Sequence, residues 1–159
     1  MKVLLRHSGQ MAFLAKADSN HWLPLDTGPV SGGSNGATSP IELLVIAAAG
    51  CVSMDVIFIL GKGRHEFSKF DLEVEAARAE NHPRRLISLH FHAQVEGPAL
   101  SSDAVSKALT LSLTKYCSVS LSLDRSITFK ASCTVNGVPS EAWNIERNPD
   151  IYAQSGLQR

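Results

Sequence analysis

The chain is organised around one apolar stretch, from Ser39 to Leu60, which has Cys51 near its middle. The first residues of this stretch predict a helix N-terminus, because Ser39 can cap the first turn and Pro40 suits the first helical position, where no amide hydrogen is needed. At its other end two glycines flank Lys62, which is typical of a helix C-cap. The pattern predicts a helix of roughly six turns, at about 3.6 residues per turn.

A helix of this length could cross a bilayer, since roughly 20 apolar residues suffice. Polar residues interrupt the stretch at Glu42, Ser53 and Asp55, and the small residues at 47–50 add little hydrophobic drive. We therefore predict the central helix of a globular domain, buried on most of its sides, and no membrane partner. The small residues would let a second helix, or the same helix of a second copy, approach closely beside Cys51.

The composition predicts a globular protein whose partner is small or is another protein. The 159 residues indicate one domain with its own core, and the 15 basic and 15 acidic residues cancel. This balance gives no sign of a nucleic-acid partner or an anionic membrane surface. The N-terminal apolar stretch is too short for a signal peptide, so we expect a cytoplasmic protein. Three cysteines in a reducing compartment argue against a disulfide framework but leave a reactive pair open.

Alternating and helical patterns on both sides of the central stretch predict an α+β fold. In chain order they indicate a hairpin or meander within 1–26, a glycine-rich loop over 27–38, strands over 70–78 and 86–95, a second helix to about 115, and a closing strand over 126–135. The two long strands are expected to pair antiparallel. We predict a single domain over residues 1–137 and a peripheral C-terminal tail over 138–159.

No metal or other cofactor is predicted. His90 and His92 lie two residues apart on one face of a strand and could share a metal ion. A zinc site needs three or four ligands, however, and no further residue stands at ligand spacing. We interpret both histidines as solvent-facing strand residues.

The three cysteines differ in their sequence context. Cys133 falls at a core position of the closing strand and is interpreted as a small hydrophobic residue. Cys51 lies mid-helix beside small residues, whereas Cys117 lies at a helix junction, where amide dipoles can stabilise a thiolate. These residues alone allow either a redox pair or two inert core cysteines.

Two segments resemble the OsmC/Ohr family of thiol-dependent hydroperoxide reductases. They read GATSPIELLVIAAAGCVSM and KYCSVSLSLDRSITFKASCTVNG. In the family's first motif a proline and a glutamate open a helix with a cysteine on an alanine-rich stretch, and Pro40, Glu42 and Cys51 match it. The second motif, a cysteine followed shortly by a serine and then a closing strand, is matched at Cys117, Ser118 and Ser120.

The resemblance implies an intertwined homodimer, in which antiparallel sheets of both chains wrap two central helices and two active sites lie at the interface. Cys51 would attack an organic or small hydroperoxide and become a sulfenic acid, and Cys117 would condense with it to a disulfide. An external dithiol, in relatives often a lipoylated protein, would reduce that bond.

The sequence departs from the family pattern in ways that leave a second function open. Efficient relatives carry an arginine in the N-terminal strand turn to support the thiolate, and Gln10 or Met11 stands there in this chain. Glu42 matches an acidic site position of the OsmC branch, but it also suits a capping box. The alternative is therefore a ligand-binding or redox-sensing protein of the same fold with weak or no peroxidase activity. Asp55, one turn after Cys51, is expected to turn toward a polar partner or toward the second copy of the dimer.

Overall fold

The computed structural model describes residues 1–147, which fall into two compact units, Met1–Ile46 and a second unit that starts at Ala47. The first unit contains an antiparallel meander of β1 (Leu4–His7), β2 (Phe13–Lys16) and β3 (Leu23–Leu25). The sequence predicted a hairpin or a meander here, and the structure shows the meander.

The glycine-rich loop that follows is held by the buried carboxylate of Asp26. This carboxylate accepts hydrogen bonds from the amides of Thr27, Ser34 and Gly36 and from the Ser34 hydroxyl. A Cβ at Gly33 would collide with the Thr27 carbonyl oxygen, so the loop needs a glycine there. These hydrogen bonds give the predicted glycine-rich loop one defined conformation.

The central helix, α1, spans Pro40–Lys62, close to the predicted limits. Its C-terminus differs from the prediction in one respect, because Arg64, with φ 58°, adopts the left-handed conformation that a glycine was expected to supply. The amide of Arg64 bonds to the Gly61 carbonyl and the amide of His65 bonds to the Leu60 carbonyl, which is a Schellman motif.

One stripe of α1 is fully buried, at Ala48, Val52, Val56 and Leu60. These residues recur every four positions, which is the spacing of one helix face. The rest is more exposed than the sequence predicted, since only 22% of its most apolar 18-residue window is buried. By length and composition α1 would also pass as a membrane span, as the central helix of a globular domain often does.

The second unit is built on one sheet. It contains β4 (Lys69–Arg78), β5 (Leu86–Glu96), β6 (Thr128–Val135), β7 (Val138–Pro139) and β8 (Trp143–Ile145). The first two strands pair antiparallel along their whole length, as predicted. The core-facing sides of β5 and β6 are buried. Between them the rings of Phe91 and Phe129 meet edge to face at a centroid distance of 5.6 Å.

The third strand corrects the expectation of purely antiparallel sheets, because β6 runs parallel to β5. A parallel neighbour requires a crossover connection, and here it is helical. It consists of α2 (Ser102–Leu111), a π-helical turn (Ser112–Tyr116) and the short α3 (Ser118–Ser122). The fold is therefore α+β with a mixed sheet, and the crossover carries Cys117 between its last two segments.

The beginning of the expected peripheral tail belongs to this sheet. Both β7 and β8 pair antiparallel with β6, and Ile145 is buried. The Trp143 indole also donates a hydrogen bond to the Thr110 hydroxyl on α2. The rest of the predicted tail, residues 148–159, lies outside the described residues.

Candidate active site

Cys51 and Asp55 occupy neighbouring positions on one face of α1. They are four residues apart, so their side chains point to the same side of the helix. Both are half-buried, next to the buried stripe that contains Val52 and Val56. The packing of that stripe therefore sets the direction in which the thiol and the carboxylate point.

Cys117 lies at the N-terminus of α3, directly after the π-helical turn, as the predicted helix junction required. Its side chain is fully buried. The sulfur accepts a hydrogen bond from the Ser120 amide at 3.2 Å, and the thiol donates one to the Ser120 hydroxyl at 3.1 Å. Cys117 is thus the cap of its own helix, which holds the sulfur in one position.

The fold brings these three residues into one cluster. The Sγ atoms of Cys51 and Cys117 and a carboxylate oxygen of Asp55 all lie within 4.8 Å of one another. The Ser112 hydroxyl, in the π-helical turn, donates a hydrogen bond of 2.8 Å to Oδ2 of Asp55. Asp55 therefore has the polar partner that the sequence led us to expect, and its carboxylate also faces both thiols.

The two thiols are free, and they lie within reach of disulfide formation. An S–S bond is about 2.05 Å long. Starting from a separation of at most 4.8 Å, bond formation needs the sulfurs to approach by less than about 2.8 Å. Because the sulfur of Cys117 is held by its cap, rotation of the Cys51 side chain is the movement that can supply this approach.

The environment of Cys117 favours its protonated form. Burial, followed by the neighbouring Cys51 thiol, raises the pKa of Cys117 to about 11, although the hydrogen bonds from Ser120 act in the opposite direction. Near neutral pH Cys117 is consequently a thiol, and it needs a base to become a nucleophile.

A cavity of about 420 Å³ borders the cluster. Its walls are formed by Asp55, Phe58, Ile59, Lys62, Leu111 and Tyr116. Most of this lining is apolar, and the Lys62 ammonium lies 4.7 Å from the centre of the Phe58 ring. The cavity can therefore hold an apolar small molecule close to the carboxylate of the cluster.

Glu42, the third predicted site residue, forms the capping box of α1. Its carboxylate accepts hydrogen bonds of 2.7 Å from the Ser39 amide and the Ser39 hydroxyl. Both hydrogen bonds lower the pKa of Glu42, and the one from the Ser39 hydroxyl has the larger effect. The capping role that the sequence offered is thus confirmed, and a catalytic role for Glu42 stays a prediction.

Cys133 and the two strand histidines lie outside the cluster. Cys133 is fully buried in β6, as predicted, and its sulfur lies 3.7 Å from the Ser106 hydroxyl. His90 and His92 are half-buried and not fully solvent-facing, because both rings bond to the Ser132 hydroxyl, at 2.8 and 2.7 Å.

The positions where relatives carry a supporting arginine belong to the first unit. Gln10 lies in the turn between β1 and β2 with φ 48°. The guanidinium of Arg6 lies over the Trp22 ring, 5.4 Å from its centre. The family motif pointed to Ser120, although not to its hydrogen bonds with Cys117. Sequence reasoning missed Ser112, whose local pattern does not distinguish it from other serines.

Comparison with known proteins identifies the family. The family model described as OsmC-like protein matches residues 32–132. This chain belongs to the OsmC-like family. The matched region includes Cys51, Asp55 and Cys117, whereas the N-terminal meander precedes it and Cys133 follows it.

Individual proteins are similar to this chain in sequence or in fold. Protein YhfA of Escherichia coli is 35% identical over 127 residues, which cover 79% of this chain and 90% of that protein. A solved structure from Aquifex aeolicus has a TM-score of 0.74 at 27% identity, covering 85% of this chain and 95% of that one. An organic hydroperoxide resistance protein from Legionella pneumophila shares the fold, with a TM-score of 0.61, 16% identity, and coverage of 84% and 96%.

Proposed function

We propose that this protein is a thiol-dependent peroxidase that reduces organic or small hydroperoxides to alcohols. The observation that carries the proposal is the pair of free, unlinked sulfurs of Cys51 and Cys117, which lie within 4.8 Å of each other beside an apolar cavity. Family membership supports it, since solved OsmC-like structures include organic hydroperoxide resistance proteins.

The first chemical step is attack on the peroxide by Cys51. Cys51 gives up its proton, and its thiolate attacks the terminal OH oxygen of the hydroperoxide. The O–O bond breaks, the hydroxyl stays on sulfur as a Cys51 sulfenic acid, and the leaving alkoxide takes up a proton to become the alcohol. The apolar walls of the cavity would bind the organic part of the hydroperoxide, with the peroxide group directed to the sulfur. Such a cavity suits aryl and alkyl hydroperoxides better than hydrogen peroxide, which has no apolar surface to bury.

The second step is condensation of the two cysteines. Cys117 gives up its proton, its sulfur attacks the sulfenic sulfur, and the hydroxide that leaves takes up a proton to become water. The Asp55 carboxylate lies close enough to both sulfurs to accept the proton from Cys117 and pass it to the leaving oxygen. An external dithiol, for which a lipoylated protein is the candidate, then reduces the Cys51–Cys117 disulfide.

The active form would be a homodimer. The side chains of Met54 and Phe58 on α1 are 74% and 63% exposed, and Ile57 is exposed as well. An apolar helix face of this kind is unfavourable in water and would be covered by a second copy. We expect Met54→Glu to shift sedimentation from dimer to monomer. Val138→Glu, at an exposed valine of β7, should leave it unchanged. A dimeric Met54→Glu protein would contradict this part of the proposal.

The decisive experiment counts thiols. One equivalent of cumene hydroperoxide should remove two thiols from the reduced protein, and non-reducing peptide mass spectrometry should locate a disulfide between Cys51 and Cys117. Cys133→Ser should lose the same two thiols. Cys51→Ser should be inactive, so full peroxidase activity in that variant would refute the mechanism.

The second candidate function is a ligand-binding or redox-sensing protein without efficient turnover. The raised pKa of Cys117 and the absence of the family arginine at Gln10 or Met11 favour it. Slow oxidation of the two thiols, with no steady-state turnover when a dithiol is supplied, would select this function. A reducing compartment such as the cytoplasm would keep the pair in its dithiol form under either function.

A further inference from the structure

The cluster that contains the two reactive thiols also has the composition of a metal site. We propose that the reduced protein binds a thiophilic divalent cation such as Zn²⁺ through three protein ligands, Cys51, Asp55 and Cys117. Two thiolates and one carboxylate form a ligand set that zinc accepts, and sulfur ligands select it over hard cations such as Mg²⁺ and Ca²⁺.

The distances are close to those that a bound metal would impose. A zinc–sulfur bond of about 2.3 Å and tetrahedral angles put two ligand sulfurs about 3.8 Å apart. In the structure the three ligand atoms already lie within 4.8 Å of one another. Each pair therefore has to close by no more than about 1.5 Å, given that zinc–oxygen bonds are slightly shorter at about 2.0–2.2 Å.

Hydrogen bonds around the cluster would orient these ligands. The Ser112 hydroxyl donates to one carboxylate oxygen of Asp55, and a carboxylate held in this way can bind a metal through its other oxygen. The Ser120 amide donates to the sulfur of Cys117 and can continue to do so when that sulfur is a metal-bound thiolate. Both serines are buried, so these bonds are shielded from water.

The site would keep one coordination position open. Three protein ligands leave a fourth tetrahedral position for water or another small ligand. Asp55 forms part of the wall of the 420 Å³ cavity, so that position is reached from the cavity side. Metal binding would thus occupy the two thiols and the neighbouring cavity together.

Oxidation of the thiols would release the metal, an inference that rests on the proposed peroxidase function. Two electrons pass from the two thiolates to the O–O bond of the hydroperoxide. With two protons from solvent, the products are an alcohol, water and a disulfide, and the cation leaves because both sulfur ligands are lost. Bound zinc would therefore protect the pair from oxidation, and the disulfide form would not bind metal.

The test is a cobalt titration of the reduced, full-length protein without oxygen. One equivalent of Co²⁺ per chain should produce thiolate-to-cobalt charge-transfer absorption and the visible bands of a tetrahedral site, and one equivalent of Zn²⁺ should abolish both. Cys51→Ser and Cys117→Ser should lose the charge-transfer absorption, and Asp55→Asn should bind at least about tenfold more weakly.

Matched variants separate this site from other ligands of the chain. Cys133→Ala removes a cysteine outside the cluster, and Asp103→Asn removes an exposed carboxylate on α2, so both should titrate like the unmodified protein. A folded, reduced protein without charge-transfer absorption would overturn the inference, as would an Asp55→Asn variant of unchanged affinity. Metal binding by the peroxide-oxidised protein would overturn it as well.

The result is independent of the peroxidase assay. If metal-free protein loses two thiols to cumene hydroperoxide but binds no Co²⁺, the metal site is refuted and the proposed function stands. If Co²⁺ binds but the thiols of the metal-free protein resist the hydroperoxide, the proposed function fails and the metal site stands.

Discussion

Replacing Ser120 by alanine should make Cys117 a weaker acid. The thiol of Cys117 donates to the Ser120 hydroxyl over 3.1 Å, and after deprotonation the same hydroxyl can rotate and donate to the thiolate. The Ser120 amide, 3.2 Å from the sulfur, is retained in the variant. The substitution therefore removes one of the two hydrogen bonds that lower the pKa of this buried thiol.

The size of the change follows from the difference between the two protonation states. A hydrogen bond between neutral groups contributes about 1 kcal/mol, and one to a charged group about 1.5–3 kcal/mol. The thiolate of Cys117 thus loses about 1 kcal/mol more than the thiol does. One pKa unit corresponds to about 1.4 kcal/mol, so the pKa should rise by about 0.7 and the thiolate fraction near neutral pH should fall about fivefold.

The alkylation rate of Cys117 measures this fraction, because iodoacetamide reacts with the thiolate. Peptide-resolved mass spectrometry gives the rate for Cys117 separately from the other cysteines. In the unmodified protein the rate should rise about tenfold per pH unit and level off near pH 11. In Ser120→Ala it should be about fivefold lower at each pH below that point.

Ser118→Ala is the matched control, since Ser118 is exposed on the same short helix. It should leave the alkylation rate of Cys117 within about twofold of the unmodified protein. An unchanged or faster rate in Ser120→Ala would refute the reasoning, and an equal slowing in both variants would show that damage to α3, and not the lost bond, is responsible.

Three further predictions concern stability. Leu109→Ala, at a fully buried position of α2, should lower the free energy of unfolding by about 2–5 kcal/mol in urea denaturation. Lys107→Ala, on the exposed face of the same helix, should change it by no more than about 0.5 kcal/mol. A cost below about 1 kcal/mol for Leu109→Ala would contradict its assignment to the core. Asp26→Asn should destabilise the protein at neutral pH. Hydrogen bonds, of which the one from the Ser34 hydroxyl has the largest effect, lower the pKa of Asp26 below its unfolded value of about 3.9. The difference in stability between the variant and the unmodified protein should therefore shrink as the pH falls below about 4. A difference between the urea midpoints that does not change with pH would refute this prediction. Arg64→Gly should raise the free energy of unfolding by about 0.5 kcal/mol. At φ 58° a residue with a Cβ is strained, and relief of this strain by glycine outweighs the extra chain entropy that glycine loses on folding. A lower melting temperature in the variant would contradict this prediction.

Local chemistry explains why much of the fold could be predicted. The limits of α1 follow from a serine cap, a proline at the first position and a capping-box glutamate, which act within a few residues. The alternation along β4 and β5 likewise reflects one buried and one open face of a strand. The parallel pairing of β6 could not be read in this way, because strand direction depends on how the helical crossover packs, and not on the residues of the strand.

The candidate site shows the same division. Its two cysteines were recognisable from their motifs. Cys51 and Asp55 are four residues apart, so helix geometry alone places their side chains on one face. Their meeting with Cys117, and the roles of Ser112 and Ser120, depend on the π-helical turn and on the short helix that packs after it. Hydrogen bonds between residues more than fifty positions apart leave no periodic trace in a chain, so packing in three dimensions was needed to assemble the cluster.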